Sequence, residues 1–321
     1  MLRHVRTWWK FRKAVAKASR GGITRLPGEK DKDIVVLPCW RRPEFLWHCL
    51  NNLTRAEGID SVHVLFRPDT EFSSDNLDVI QSFSDRLASF EVQVADSCPF
   101  RRTKQSANVL LGYLYAARKA HQFVFLIEED IMVARDFFRW HRAVHAQQPE
   151  IFCSIAAKNH NRDVAVPADT DGYYRSTGDY CSWGVCMDRR VIKDLITPHV
   201  NMRYFRKPKR YLRRHFPNST VSLSFVEQDG LIRRIQAESK LPLVYPCVPR
   251  AYHAGFYGYN RPGGVDGSLA DKVRHIGSIV YSVDAMCTAA RHAGIAADSG
   301  PVSLDWSEWT ALREVDIGLR D

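Results

Sequence analysis

The sequence has no apolar run approaching the roughly 20 residues that a membrane-spanning helix requires. Its basic N-terminus is not followed by an apolar block, so no secretory leader is expected. The eight cysteines are scattered and none forms a Cys-x-x-Cys pair, which argues against a structural zinc site. They read as small buried hydrophobes of a reducing cytosol, so the expected location is the cytoplasm, or the host cytoplasm for a viral protein. Internal repeats and low-complexity linkers are missing too. Acidic residues are absent from two stretches, 1–20 and 203–215, which together hold fourteen of the 46 Lys and Arg. The chain is formally +10, and without those stretches it would be net acidic, so the positive charge is local and informative about partners.

What remains is an ordinary globular composition, 45% hydrophobic and 26% charged over 321 residues, sufficient for one large α/β domain. From Asp33, β-branched apolar runs alternate with helical ones. DIVVLP, SVHVLF, FEVQV and QFVFLI read as buried strands. Between them lie helices: one opened by Pro43 and running to about Arg55, then DNLDVIQSFSDRLASF and SANVLLGYLYAARKA. This pattern predicts a mostly parallel sheet with helices on both faces and ligands beyond the carboxyl ends of its strands. Further on, IFCSIAA, YCSWGVCM and PLVYP read as strands, and DRRVIKDLI and EQDGLIRRIQAES as helices. The expected division is a basic N-terminal helix or arm over 1–30, the α/β domain over 31–260 and a C-terminal extension over 261–321.

The most informative segment is Phe123–Trp140, where an apolar strand runs into Glu128-Glu129-Asp130. Three consecutive carboxylates at the end of a buried strand repel one another unless a cation sits there, and Mn²⁺ or Mg²⁺ with a diphosphate would meet that need. The segment resembles the metal-binding strand of GT-A (Rossmann-like) glycosyltransferases, most nearly the N-acetylglucosaminyltransferase I type. In that group an apolar strand ends in Glu-Asp-Asp and an Asp-Phe-Phe helix start follows, here Asp136-Phe137-Phe138. The resemblance implies that Asp130 binds the metal and that Glu129 and Glu128 face the ribose and the donor sugar. Glu129 departs from the family's Asp.

Other stations follow in the family's order. Pro38-Cys39-Trp40-Arg41-Arg42 with FLWHCLNNL resembles its opening strand, loop and helix, implying that Arg42, or else Arg41, reaches the diphosphate. Asp69 stands where such enzymes hold the nucleobase or ribose. Arg101-Arg102-Thr103-Lys104, before the helix that carries Asn108, suits a phosphate at a helix start, with Lys104 the candidate contact. Gly178–Gly184, with Trp183, resembles the segment that shapes the donor-sugar and acceptor pocket. In Phe225–Gly230 a carboxylate would deprotonate the acceptor, Asp229 first and Glu227 second. His253 would be a further metal ligand.

The expected protein is therefore an inverting, metal-dependent transferase using a nucleotide-sugar, with a UDP donor implied by resemblance only. A nucleotidyltransferase usually shows a Gly-rich phosphate loop after its first strand, and CWRRPEF is not one. In residues 1–20, Arg3, Arg6, Lys10, Lys13, Lys17 and Arg20 recur at helical spacing, a cationic stripe suited to an anionic membrane surface or to nucleic-acid phosphates. The cluster at 203–215 lies between the pocket segment and the base, pointing to an anionic acceptor. Its Tyr204, Phe205 and Tyr211 are available either to stack on bases or to pack the loop. Two acceptors follow: a hydroxymethylated base in DNA, slightly favoured, with HAGFYGYNRPGG resembling the viral and kinetoplastid DNA-base glucosyltransferases, and an acidic surface glycan such as a lipopolysaccharide core. A catalytically inactive, nucleic-acid-binding domain of the same fold is the reading from a different class.

Overall fold

The computed structural model describes residues 2–20, 32–70, 74–157, 173–178, 180–246, 249–255 and 264–280. Asp179, most of the HAGFYGYNRPGG segment and the chain beyond 280 lie outside the described residues.

The sheet forms where the apolar runs predict it. β1 (Asp33–Cys39), β2 (Val62–Pro68), β3 (Phe90–Val92) and β4 (Phe123–Leu126) are parallel, in the order β3-β2-β1-β4. The sheet continues with β8 (Val185–Asp188), β6 (Cys153–Ile155), β9 (Leu243–Pro246) and β7 (Tyr173–Ser176). β8 runs antiparallel to both β4 and β6, and β7 antiparallel to β9, so four of the seven described pairings are parallel. A separate two-stranded ribbon joins β5 (Ile131–Val133) to β10 (Ala251–His253).

The middle residues of β1 and β4 are apolar because both faces of these strands are buried. Val35, Leu37 and Phe125 enter one core, whereas their neighbours Ile34, Val36, Val124 and Leu126 enter the other, as the two-residue period of a strand demands. The first core is covered by α2 (Pro43–Leu53), α3 (Asp75–Ser82), α5 (Phe137–Gln147) and α10 (Leu269–Val280). α10 packs on α2, where His48 Nε2 lies 2.8 Å from the Val273 carbonyl. The second core is covered by α1 (Leu2–Arg20), α4 (Lys104–Lys119) and α9 (Gln228–Ser239). A helical stretch of α6 (Arg189–Val191) and a π-turn over Ile192–Ile196 joins them, as do α7 (Met202–Arg206) and α8 (Pro208–His215).

Two expectations are refined. The helix read from DNLDVIQSFSDRLASF stops at Ser82 and gives way to a 3₁₀ turn over Ser84–Arg86, with Phe83 and Leu87 buried on either side of it. The basic segment 203–215 is helical, and its aromatics are structural: Tyr204, Phe205 and Tyr211 are buried, so none is offered to a nucleic-acid base. α1 is a docked helix whose Phe11 and Val15 are buried, with Phe11 edge-on to Phe100 and Phe205. Phe11→Ala is expected to lower the unfolding free energy by about 3 kcal/mol, measured by denaturant titration, because it empties a closely packed site.

Strand order places the site. The chain leaves β1 toward β2 and β3, then crosses back to β4 on the other side of β1. The carboxyl ends of β1 and β4 are therefore neighbours at a topological switch point, where the loops diverge and leave a crevice. The Arg41-Arg42 loop and the Glu128–Asp130 turn both issue there.

Candidate active site

The two loops are locked together by charge. Glu129 is buried, accepting from the Trp40 backbone N–H at 2.5 Å and from Arg42 Nε at 2.7 Å. Arg42 Nη1 also donates to Asp130 Oδ2 at 2.8 Å, and the guanidinium lies over the Phe45 ring at 5.3 Å. Burial pushes Glu129 up to about 7 although Arg42 and the Trp40 N–H favour its ionised form. Both Glu129 oxygens are thus engaged within the protein, and its visible task is to hold the β1 loop and Arg42 against β4.

Asp130 sits where the ribbon crosses the strand end. β5 leaves the acidic turn and pairs antiparallel with β10, with His253 opposite Ile131, which brings His253 Nε2 to 3.4 Å from Asp130 Oδ2. The Ala254 N–H donates to the Asp130 carbonyl at 2.8 Å, and the buried Arg250–Asp136 pair, 3.2 Å, anchors the far end of the ribbon to the start of α5. Gly255 is required here: a Cβ on it would stand 2.2 Å from Asp130 Oδ2 and 2.9 Å from His253 Nε2. Burial acts to raise the Asp130 pKa, but the His253 hydrogen bond and the Arg42 charge prevail and hold it below the usual range. Asp130 Oδ1 is buried without a hydrogen-bond partner. Trp183 stacks flat on His253, ring centroids 4.2 Å apart with an interplanar angle of 2°.

Asp229 enters from the other side, in the first turn of α9. Ser106 of α4 holds that helix start, accepting from the Gln228 N–H at 3.0 Å and donating to Gln228 Oε1 at 3.1 Å. The fully buried Arg234 braces the preceding loop through the carbonyls of Val221, Ser222 and Phe225. Gly230 admits the close pass of that loop, since a Cβ would lie 2.1 Å from the Phe225 carbonyl oxygen. Gly230→Ala is expected to cost about 1–3 kcal/mol by overpacking, read as a lower melting temperature.

Asp229 Oδ1 is buried and unpartnered. Burial raises its pKa to about 6, with Arg233 opposing and Glu227 adding to the rise. Glu128 is raised as well, first by burial and then by the charges of Asp130 and Asp229, and its Oε1 is also buried without a partner. Ser182 serves both carboxylates through its hydroxyl. Three acidic groups, two from the turn after β4 and one from α9, thus face a common space, with Arg42 opposing the charge of Glu128 and Asp130.

Seven of the residues expected from sequence are therefore gathered together: Arg42, Glu128, Glu129, Asp130, Trp183, Asp229 and His253. Asp69 and Lys104 pair with each other at 3.7 Å, where β2 ends and α4 begins. Asn108 is committed to Arg67, donating to its carbonyl at 2.9 Å and accepting from its Nε at 3.1 Å. Glu227 is exposed and accepts from the Val226 N–H at 3.0 Å. Sequence reasoning missed Ser182, Gly255 and Arg233. Ser182 and Gly255 adjoin residues that were singled out, but nothing in a serine or a glycine announces such a contact.

No protein-family model matches the chain, and no curated protein matches it significantly. Solved structures give loose likenesses. One is S. aureus TarS 1-349 in complex with UDP-GlcNAc, with 12% identity and a TM-score of 0.45, covering 78% of this chain and 65% of that one. Another is the mannosyltransferase PcManGT from Pyrobaculum calidifontis in complex with GDP-Man and Mn²⁺, with 13% identity and a TM-score of 0.42, covering 96% and 86%. The chain thus spans just under two thirds of the TarS fragment. Likenesses this loose carry no functional inference.

Proposed function

We propose that the protein is an inverting glycosyltransferase that moves a sugar from a nucleotide-sugar, UDP-linked by the motif resemblance, to a hydroxyl of an anionic acceptor. One observation carries the reading: Asp229 Oδ1, buried and unpartnered, faces the same space as the Glu128/Asp130 strand end with its Arg42 and His253. A carboxylate that titrates near 6 is ionised at neutral pH and still basic enough to take a proton from a hydroxyl.

Asp130 and His253 fit a divalent metal. Oδ1 of Asp130 lacks a partner, and a carboxylate with an imidazole suits Mn²⁺ better than Mg²⁺, which prefers all-oxygen sets. Among the described residues no group of three His, Cys, Asp or Glu is spaced to hold a metal. The remaining positions would fall to diphosphate oxygens and water, and the bound ion would act as a Lewis acid toward the leaving diphosphate. Arg42, already poised at Asp130, adds positive charge for the same phosphates. Glu128, largely protonated through burial, offers an O–H to a sugar hydroxyl while Ser182 orients it. Asp229 accepts the acceptor proton as the new glycosidic bond forms at the anomeric carbon and the bond to the nucleoside diphosphate breaks. One displacement inverts the centre, and no glycosyl-enzyme is formed.

Of the two acceptors, the hydroxymethylated DNA base loses the stacking aromatics that spoke for it, because Tyr204, Phe205 and Tyr211 are buried. The acidic glycan needs only the exposed cations of α7 and α8, and it is the acceptor class we carry forward. The test is a transfer screen with Mn²⁺ and a panel of nucleotide-sugars, offering an acidic glycan, hydroxymethylated DNA and plain DNA. Transfer to the glycan supports the full reading, transfer to modified DNA reverses the acceptor assignment, and no metal-dependent hydrolysis or transfer with any donor removes the enzyme reading in favour of a binding domain.

A further inference from the structure

Three basic stretches roughly a hundred residues apart in sequence are packed side by side. α1 leaves Arg6, Lys10, Arg12, Lys13 and Lys17 exposed around its buried Phe11 and Val15. The short turn Arg101–Thr103 exposes Arg101 and Arg102. α7, α8 and Lys207 between them expose all seven of their Lys and Arg, while Tyr204, Phe205, Tyr211 and Leu212 are buried. The buried sides meet at one aromatic hub. Phe11 lies 6.2 Å from Phe100 and 5.2 Å from Phe205, and Thr103 Oγ1 donates to the Phe205 carbonyl at 3.0 Å. Fourteen cations thus flank a single junction, and none is in an ion pair among the described residues. Like charges gathered in this way raise the local potential and repel unless a polyanion covers them.

Aromatic placement decides which polyanion fits. Base stacking would need rings beside the cations of α7 and α8, and those rings are buried. Of the two rings exposed among the described residues, Phe225 lies in the loop before Asp229 under Arg233, and the one on the basic face is Trp9 of α1, 51% accessible, edge-on to Trp8, with Arg12 over both indoles at 5.3–5.4 Å. An amphipathic helix with indoles among Lys and Arg matches the bilayer interface, where the ring enters the headgroup layer and the cations meet lipid phosphates. We infer that α1, the Arg101–Thr103 turn and α7–α8 form one composite docking face for an anionic phospholipid bilayer. The face is tied to the active site: the Tyr204 hydroxyl donates to the Val226 carbonyl at 2.8 Å, in the loop that leads to Asp229. Docking through α7 would hold the loop that leads to Asp229 near the lipid surface, where an acidic membrane-borne glycan would be presented. The inference is tested by binding and stands or falls apart from the transfer reading.

The full chain is sedimented with phosphatidylcholine vesicles, with and without phosphatidylglycerol, at low and high NaCl. Binding is expected only with phosphatidylglycerol and is lost at high salt. Lys10→Glu with Lys13→Glu, and separately Arg206→Glu with Arg210→Glu, each lower it about 10-fold or more. Trp9→Ala weakens it several-fold, and Trp9→Phe removes part of the blue shift of indole fluorescence seen on binding. Circular-dichroism melting shows whether each variant is folded, and the salt dependence of the unaltered chain reads the electrostatics without any substitution. Equal binding to phosphatidylcholine alone, no binding at all, or loss on altering one segment but not the other overturns the composite face. Tighter binding to duplex or single-stranded oligonucleotide than to the anionic vesicles, with competition between the two, overturns it in favour of nucleic acid.

Discussion

Asp229→Asn is expected to lower kcat by about 10³-fold while leaving the KM for the nucleotide-sugar close to that of the parent. Asparagine fills the same volume at the start of α9, and the Ser106–Gln228 bonds that hold that helix start do not involve the changed atom. What is lost is the group that takes the acceptor proton. The pH profile is the sharper readout. With a pKa of about 6, raised chiefly by burial, Asp229 is ionised above that value and protonated below it. Only the ionised form accepts a proton, so kcat in the parent is expected to level off near pH 7 and to fall roughly tenfold per unit below pH 6. The variant should lose that acid limb together with the rate. Glu227→Gln, at an exposed position, should change kcat by less than a factor of a few. If Glu227→Gln is the crippled variant and Asp229→Asn is nearly normal, the base has been misassigned.

Asp130→Asn carries the second large effect, a loss of about 10²- to 10³-fold in Mn²⁺-dependent donor hydrolysis and transfer. Asp130 is the carboxylate of the acidic turn held ionised by its surroundings, whereas Glu128 and Glu129 are pushed toward the neutral form. The substitution preserves the shape but removes the charge that draws a cation to His253. Arg42 keeps its bond to Glu129 Oε1 at 2.7 Å, so the loops should stay in register, while loss of the charged Arg42–Asp130 contact lowers the melting temperature without metal. The same preparation offers an activity-free check: Mn²⁺ should raise the melting temperature of the parent by mass action and leave that of Asp130→Asn unmoved. Mn²⁺ stabilising both proteins equally, or wild-type turnover in the variant, would place the metal elsewhere.

Much of this was open to reading from residue order. Apolar runs such as DIVVLP and QFVFLI name buried strands without any partner in view, because a strand covered on both faces has few polar positions to spare. The acidic end of the fourth strand stands out for the opposite reason, since charge adjoining such a run needs compensation. The segments β5, β7 and β10 were harder. Each is three or four residues long, and its strand character comes from the neighbour it pairs with. The basic segment 203–215 shows its charges plainly but not its facing, and the same aromatics suit a stacking platform or a core equally well until the packing is known.

The sequence by itself determined the α/β class, the strand that ends in carboxylates and the chemical types gathered for the site. Each of these depends on local pattern: the two-residue and 3.6-residue periods, and the cost of burying charge. Only the tertiary structure decided which of those carboxylates are engaged and which stand open. It committed Glu129 to Arg42 and the Trp40 N–H, left oxygens of Asp130 and Asp229 unpartnered, and set Ser182 beside both Glu128 and Asp229. It also joined α1 to α7 and α8 through Phe11 and Phe205. Such pairings join residues from about fifty to about two hundred positions apart. They follow from strand order and close packing, and neither can be read from the neighbours of a residue in sequence.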